Sequence, residues 1–176
     1  MKRSRKVLIV CHCLLNANAK IYPLALTEGV YREVLETYIR DGIGLFQLPC
    51  PELSYLGVNR WGMTREQYDH PNFRSHCKEI LKHPANQIEA LFREHYEIIG
   101  VLGMDGSPNC GVHLTCEGFT GGEICSQNDI ASQIRKLRFV DGQGIFMEIL
   151  AKMLQSRNIF TEFIAVNENE HQGHNN

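Results

Sequence analysis

The stretch Lys6-Val7-Leu8-Ile9-Val10-Cys11-His12-Cys13-Leu14-Leu15 decides how the chain is read. The head Met1-Lys2-Arg3-Ser4-Arg5 is basic, and Asn16-Ala17-Asn18-Ala19 follows, so the whole imitates a secretory leader: charged start, apolar run, small-residue exit. Two features argue for a buried β-strand instead. His12 and two cysteines break the apolar run, and the run is rich in β-branched residues. The reading is a first strand, Lys6 to Val10, that enters a loop carrying Cys11 and Cys13. Elsewhere no run of 18 apolar residues occurs, so no transmembrane helix is expected.

Strand-like and helix-like segments alternate outward from this point. From Leu24 to Arg40, Leu26, Val30, Val34, Leu35 and Tyr38 keep helical spacing, and Asp41-Gly42 supplies a stop. Ile43 to Leu48 predicts a second strand, halted by Pro49. Asn72 to Leu81 and Asn86 to His95 predict two helices, interrupted near Pro84. Ile98 to Leu102 is a third strand, and Asp105 to Ser126 is a glycine-rich loop region. Gly142 to Gln155 predicts an amphipathic helix with Ile145, Ile149 and Met153 on one stripe, and Ile159 to Val166 a last strand. This alternation implies a three-layer α/β fold with a mainly parallel sheet.

The chain of 176 residues suits one domain, expected over 1–166, with a polar tail over 167–176 whose His171 and His174 read as solvated. Apolar residues at 43% and charged residues at 22% exclude general disorder. A net charge of −2 offers no basic excess for nucleic acid. Seven cysteines are too many to ignore, and their odd number fits no closed disulfide framework. A chain this rich in aliphatics does not need such staples, so metal or thiol chemistry in a reducing compartment, the cytoplasm, is the expectation.

Cys13 lies beyond the first strand, Cys50 beyond the second and Cys110 beyond the third, each on the carboxyl side. Ligands of open α/β sheets bind outside those strand ends. If the strands are neighbours, three thiols converge there. They could hold zinc, with His12, His113 or water as a fourth ligand. They could hold an iron–sulfur cluster with one iron free of protein, or combine a nucleophile with resolving thiols. Cys77 sits on a helix and reads as packing. Cys116 and Cys125 read as spare, and Cys11 as facing the opposite side of an extended chain from Cys13. Glu52, two residues after Cys50, could act as acid or base, or be an ordinary ion-pair partner. In Gly106-Ser107-Pro108-Asn109-Cys110-Gly111, Ser107 could bind substrate or merely stabilise the turn.

Cys13-Leu14-Leu15, then Cys50-Pro51-Glu52, then Ser107-Pro108-Asn109-Cys110-Gly111, in this order and spacing, resemble the thiouracil desulfidase (TudS) family and a related desulfidase branch of the same broad domain. The resemblance spans roughly residues 6 to 166. It implies a Rossmann-like domain in which Cys13, Cys50 and Cys110 hold a [4Fe-4S] cluster, one iron of which is not bound by protein and takes sulfur from a small thiolated substrate. It matches Glu52 and Ser107 to the family's catalytic pocket residues. The sequence departs from the family at Asn16, where glycine is usual, at Asn109, where serine is usual, and after Glu52, where only Gly57 and Arg60 keep loose register.

Non-redox desulfuration needs a thiophilic centre for the sulfur and an activated water for the carbon, roles suited to an open iron and to Glu52. The expectation is therefore an iron–sulfur-dependent desulfidase of a small thiolated compound, with no nucleic-acid or membrane partner. A non-catalytic metal-binding or redox-sensing module using the same cysteines is the alternative, and a thiol hydrolase using one cysteine with His113 is a third. Arg60 and His113 read first as a surface arginine and a loop histidine, and second as contacts for a polar substrate edge.

Overall fold

A computed structural model describes residues 3–119 and 130–168. The stretch that opened the reading forms β1 (Lys6–Val10), the second strand of a four-stranded parallel sheet. β2 (Gly44–Gln47) lies on one side of it, β3 (Glu97–Met104) on the other, and β6 (Phe163–Val166) beyond β3. All of β1 after Lys6 is buried, which is why it reads as continuous Val, Leu and Ile. The three cysteine-bearing strands are thus adjacent, and the chain departs from β1 in opposite directions to β2 and β3. That reversal is a topological switch point, where α/β sheets open a crevice.

Helices flank this sheet in a Rossmann-like, three-layer α/β arrangement: α1 (His12–Leu15), α2 (Arg32–Arg40), α3 (Pro51–Leu56), α4 (Arg65–Tyr68), α5 (Pro71–Arg93), α6 (Ile130–Lys136) and α7 (Ile145–Gln155). Phe73, Leu81 and Ile88 of α5 and Phe146, Ile149 and Leu150 of α7 belong to the same buried core as Leu8, Ile9 and Val101 of the sheet.

Three expectations about elements need correction. The helix expected from Leu24 starts only at Arg32. Leu24, Leu26 and Val30 are exposed, and the Gly29 and Leu14 carbonyls accept hydrogen bonds from Ala17 and Tyr31 N–H, which ties this segment to α1 instead. The two helices expected around Pro84 are one, α5, running through the proline. Phe73, Cys77, Leu81, Ala85 and Ile88 are all buried along it, and that continuous apolar face outweighs the single hydrogen bond Pro84 cannot donate. The glycine-rich loop region contains β4 (Leu114–Glu117), paired antiparallel with β5 (Arg138–Asp141) as a separate two-stranded sheet. Four-residue strands at the sequence's polar middle carry little periodic signal.

Candidate functional site

The sheet's carboxyl rim brings the predicted residues together. Leu48 N–H donates to Val10 O (2.8 Å) and Cys11 N–H to Leu102 O (3.0 Å), so β2 and β3 run alongside β1 to the point where it meets α1. Cys13 occupies the first turn of α1. Cys50 caps α3: Pro51 takes the first helical position, where its missing N–H costs nothing, and Cys50 Sγ accepts from Leu53 N–H at 3.4 Å. Cys110 comes back towards β3 because Met104 N–H donates to its carbonyl at 2.8 Å. This return needs Gly103, since a Cβ there would stand 2.5 Å from Cys110 O. Ser107 holds the turn by accepting from Asn109 N–H (3.2 Å) and Cys110 N–H (2.9 Å) through Oγ.

Cys11 joins this set, against the expectation that it faces away. Its sulfur lies 3.5 Å from that of Cys13, and it also contacts Cys110. Residues two apart share a side even in an extended chain, and here the two cysteines straddle the strand-to-helix turn at His12. His12 bonds Gln47 Nε2 through Nδ1 at 3.1 Å.

These thiols sit in a place hostile to thiolates. The Cys11 thiol is pushed well up by its contact with Cys110, Cys13 by its contact with Cys11, and both by burial. Burial also raises Cys50. Contact with Cys11 pulls Cys110 down, but burial and the neighbouring Cys13, Cys50 and Glu52 carry it to about 11. Lys20 acts weakly on Cys13 in the opposite sense, while its ammonium pairs with Glu168, which Tyr31 also contacts. Glu168 thus has partners although it falls in the expected polar tail. A cluster of soft sulfurs that anionic neighbours and burial keep protonated suits a cationic metal centre, which stabilises thiolates outright. Among the described residues no three His, Cys, Asp or Glu side chains are drawn together closely enough to hold a metal ion. The donor set is of the kind that binds iron–sulfur clusters.

Glu52 forms the polar side of the site. Its Oε2 accepts from Arg60 Nε at 3.1 Å and its Oε1 from Asn109 Nδ2 at 3.0 Å, with all three side chains buried. Arg60 is therefore no surface arginine. Its other nitrogens donate to Gly57 O and Ala19 O, binding the loop after α3 to the loop after α1. Tyr68, at the end of α4, is almost wholly buried, and its hydroxyl pKa is pushed up by burial and by the neighbouring Glu52 carboxylate. Phe73 holds the Tyr68 ring, 4.6 Å between centroids.

A family model described as "Putative 2-thiouracil desulfurase" matches residues 5–121, from β1 through Cys110 and β4. The chain belongs to this family. It is also 34% identical over 110 residues to the uncharacterized protein MJ0003 of Methanocaldococcus jannaschii, covering 62% of this chain and 70% of that protein. No solved structure matches the chain. The family match ends before α7, yet α7 props the site, because Met147 N–H donates to Asn109 O (3.1 Å) and Ile145 N–H to Pro108 O (3.0 Å).

The remaining candidates lie elsewhere. Cys77 is buried within α5, as expected, and Cys116 lies on β4. His113 is exposed, its backbone N–H donating to Asp105. Cys125, His171 and His174 fall outside the described residues. Asn109 was legible only as a departure from the family motif, and nothing in Arg65-Glu66-Gln67-Tyr68 marks Tyr68.

Proposed function

We propose that the protein is a desulfidase that depends on an iron–sulfur cluster and exchanges the sulfur of a small thiolated compound for oxygen. The carrying observation is that Cys13, Cys50 and Cys110 follow three adjacent strands on one rim of the sheet, with Glu52 buried beside Cys50 and hydrogen-bonded to the Cys110 turn through Asn109. Cys13, Cys50 and Cys110 would hold a [4Fe-4S] group, whose iron without a protein ligand supplies a Lewis acid for sulfur. The overall exchange, C=S plus water giving C=O plus hydrogen sulfide, balances without an oxidant or reductant.

The residues of the chain have the following parts in this reading. Glu52, oriented by Arg60 and Asn109, faces the thiol side and takes the proton of the attacking water. Ser107 fixes the turn that presents Cys110, and its hydroxyl hydrogen remains free to reach substrate. The family's name points to thiouracil-like compounds as substrates, and the thiol-rich site suits a reducing cytoplasm. No described helix is long and apolar enough to cross a membrane.

Anaerobic purification followed by iron and sulfide analysis tests the reading. A brown protein with about four of each per chain is expected. Serine at position 13, 50 or 110 should abolish the colour, and Glu52→Gln should keep it while slowing sulfide release by about a hundredfold or more. A colourless protein after reconstitution would defeat the proposal. A coloured protein that releases no sulfide from thiouracils would favour the non-catalytic sensing module.

A further inference from the structure

The rim of the sheet holds one thiol that the proposed cluster does not use. Cys11 is wholly buried at the junction of β1 and α1, and its sulfur lies 3.5 Å from that of Cys13 in an S–H···S contact. Local geometry brings the two together. Cys11 precedes the first helical turn with its backbone extended (φ −63°, ψ 149°), and a side chain in that place folds back over the turn, where Cys13 sits. The backbone is held there on both sides: Cys11 N–H donates to Leu102 O (3.0 Å), and Leu14 N–H donates to Cys11 O (3.2 Å).

Exposure separates the two sulfurs. Cys13 is partly open to solvent, whereas Cys11 is sealed, and Cys110, which Cys11 also contacts, is buried as well. A small oxidant arriving from solvent therefore meets Cys13, and the nearest group able to react with the oxidised sulfur is Cys11. Cys50 is also partly open, but its sulfur accepts from Leu53 N–H (3.4 Å), a group that cannot close a covalent bond to it.

We propose that Cys11 is the resolving thiol of Cys13: when Cys13 holds no metal, hydrogen peroxide converts the pair into a reversible Cys11–Cys13 disulfide. The Cys13 sulfur attacks one peroxide oxygen and breaks the O–O bond, giving Cys13 S–OH and water. The Cys11 sulfur then attacks the Cys13 sulfur, the S–O bond breaks, and its oxygen leaves as water with the Cys11 proton. Two thiols lose one electron each, and peroxide is reduced to water. Burial keeps these thiols protonated and slows the first step. Contact acts on the second, which as an intramolecular reaction outruns further attack by dilute peroxide. Without it Cys13 goes on to sulfinic acid, which thiol reductants do not reverse. This pairing goes beyond the desulfidase reading, because it belongs to the metal-free chain.

The full chain is freed of metal with a chelator and a reductant under argon, exposed to a small excess of hydrogen peroxide, alkylated and digested with trypsin. Cleavage after Lys6 and Lys20 yields the peptide from Val7 to Lys20, whose only cysteines are Cys11 and Cys13. In the wild type this peptide should escape alkylation, be lighter than the reduced peptide by a pair of hydrogens, and become alkylated on both cysteines after treatment with a thiol reductant. In Cys11→Ala the same peptide should carry sulfinic Cys13 at about tenfold the wild-type level or more. Cys11→Ser replaces the alanine variant if the latter does not fold. A wild-type peptide alkylated on both cysteines without reductant overturns the inference, as does a disulfide from Cys11 to Cys110, or equal sulfinic acid in wild type and variant. Iron uptake by the re-reduced chain is measured in parallel. A chain that forms the disulfide but takes up no iron sinks the desulfidase reading alone, and one that takes up iron but forms no disulfide sinks this inference alone.

Discussion

Arg60 Nε stands 3.1 Å from Glu52 Oε2 with only 4% and 10% of the two side chains exposed. A buried ion pair of this kind contributes modestly when intact, since desolvation offsets attraction, but removing one partner strands the other. Arg60→Met should therefore cost about 3 kcal/mol or more in urea unfolding. The Arg60,Glu52→Met,Gln double variant should regain part of that loss, because the uncompensated carboxylate is gone. The two single costs adding up in the double variant would show that the residues are not coupled.

How far the sequence carries can be judged on these residues. Cys13, Cys50 and Cys110 were legible because each follows a strand that an apolar run announces, and parallel neighbours must bring their ends together. The adjacency of β2, β1 and β3 supplied what sequence alone could not, since strand order is a long-range pairing outcome. Cys11 was misread because residues two apart were set on opposite sides of the chain, whereas period-2 alternation itself puts them on the same side. Arg60 was misread because an arginine in an exposed loop looks solvated until its partner, eight positions earlier in the first turn of α3, is seen to be buried. Pro84 was given too much weight, as a local rule that a long buried helix face overrides.

Cys77 offers the contrast to the site cysteines. It is fully buried on α5 among core residues, and burial raises its thiol to about 12, so it behaves as an apolar filler. Cys77→Ser places a hydroxyl in the core and should cost about 1–3 kcal/mol in denaturant unfolding, with iron and sulfide content unchanged. On the proposed function, Cys50→Ser should show the converse, a small change in apoprotein stability and loss of iron and sulfide. Loss of colour in Cys77→Ser at full folding would contradict this division.

Acid should loosen the packing of α4, α5 and α7. Arg65 and Arg74 both bind Asp69 (3.2 and 2.5 Å) and Glu148 (3.0 and 3.3 Å), and Lys152 adds a contact to Glu148 at 2.5 Å. Arg74 draws the Asp69 carboxyl below its ordinary 3.8, and Lys152 followed by Arg74 draws Glu148 below its ordinary 4.5. Groups depressed by folding stabilise the native state above their unfolded values and lose that contribution as pH falls through the folded ones. The urea midpoint should therefore decline from about pH 4.5 downward, and Glu148→Gln should flatten the decline. High salt should shrink the difference between variant and wild type, since these side chains are partly solvated. An unchanged pH slope in Glu148→Gln would refute the assignment.

Gly144 connects the stability of α7 to the site. A Cβ at this position would stand 2.4 Å from Asn109 C and 2.5 Å from Asn109 O, a backbone contact that no side-chain rotation relieves. Gly144 N–H also donates to Gly111 O at 3.0 Å, so the start of α7 and the turn carrying Ser107, Asn109 and Cys110 are held face to face. Gly144→Ala must push that turn away. The expected cost is about 1–3 kcal/mol from overpacking, accompanied by weaker retention of iron during gel filtration. Ala151→Gly, on the same helix but away from the turn, serves as the control: it should weaken α7 by about 1 kcal/mol and leave iron retention intact. Equal iron loss in both variants would mean that general loosening of α7, rather than displacement of the Cys110 turn, governs the site.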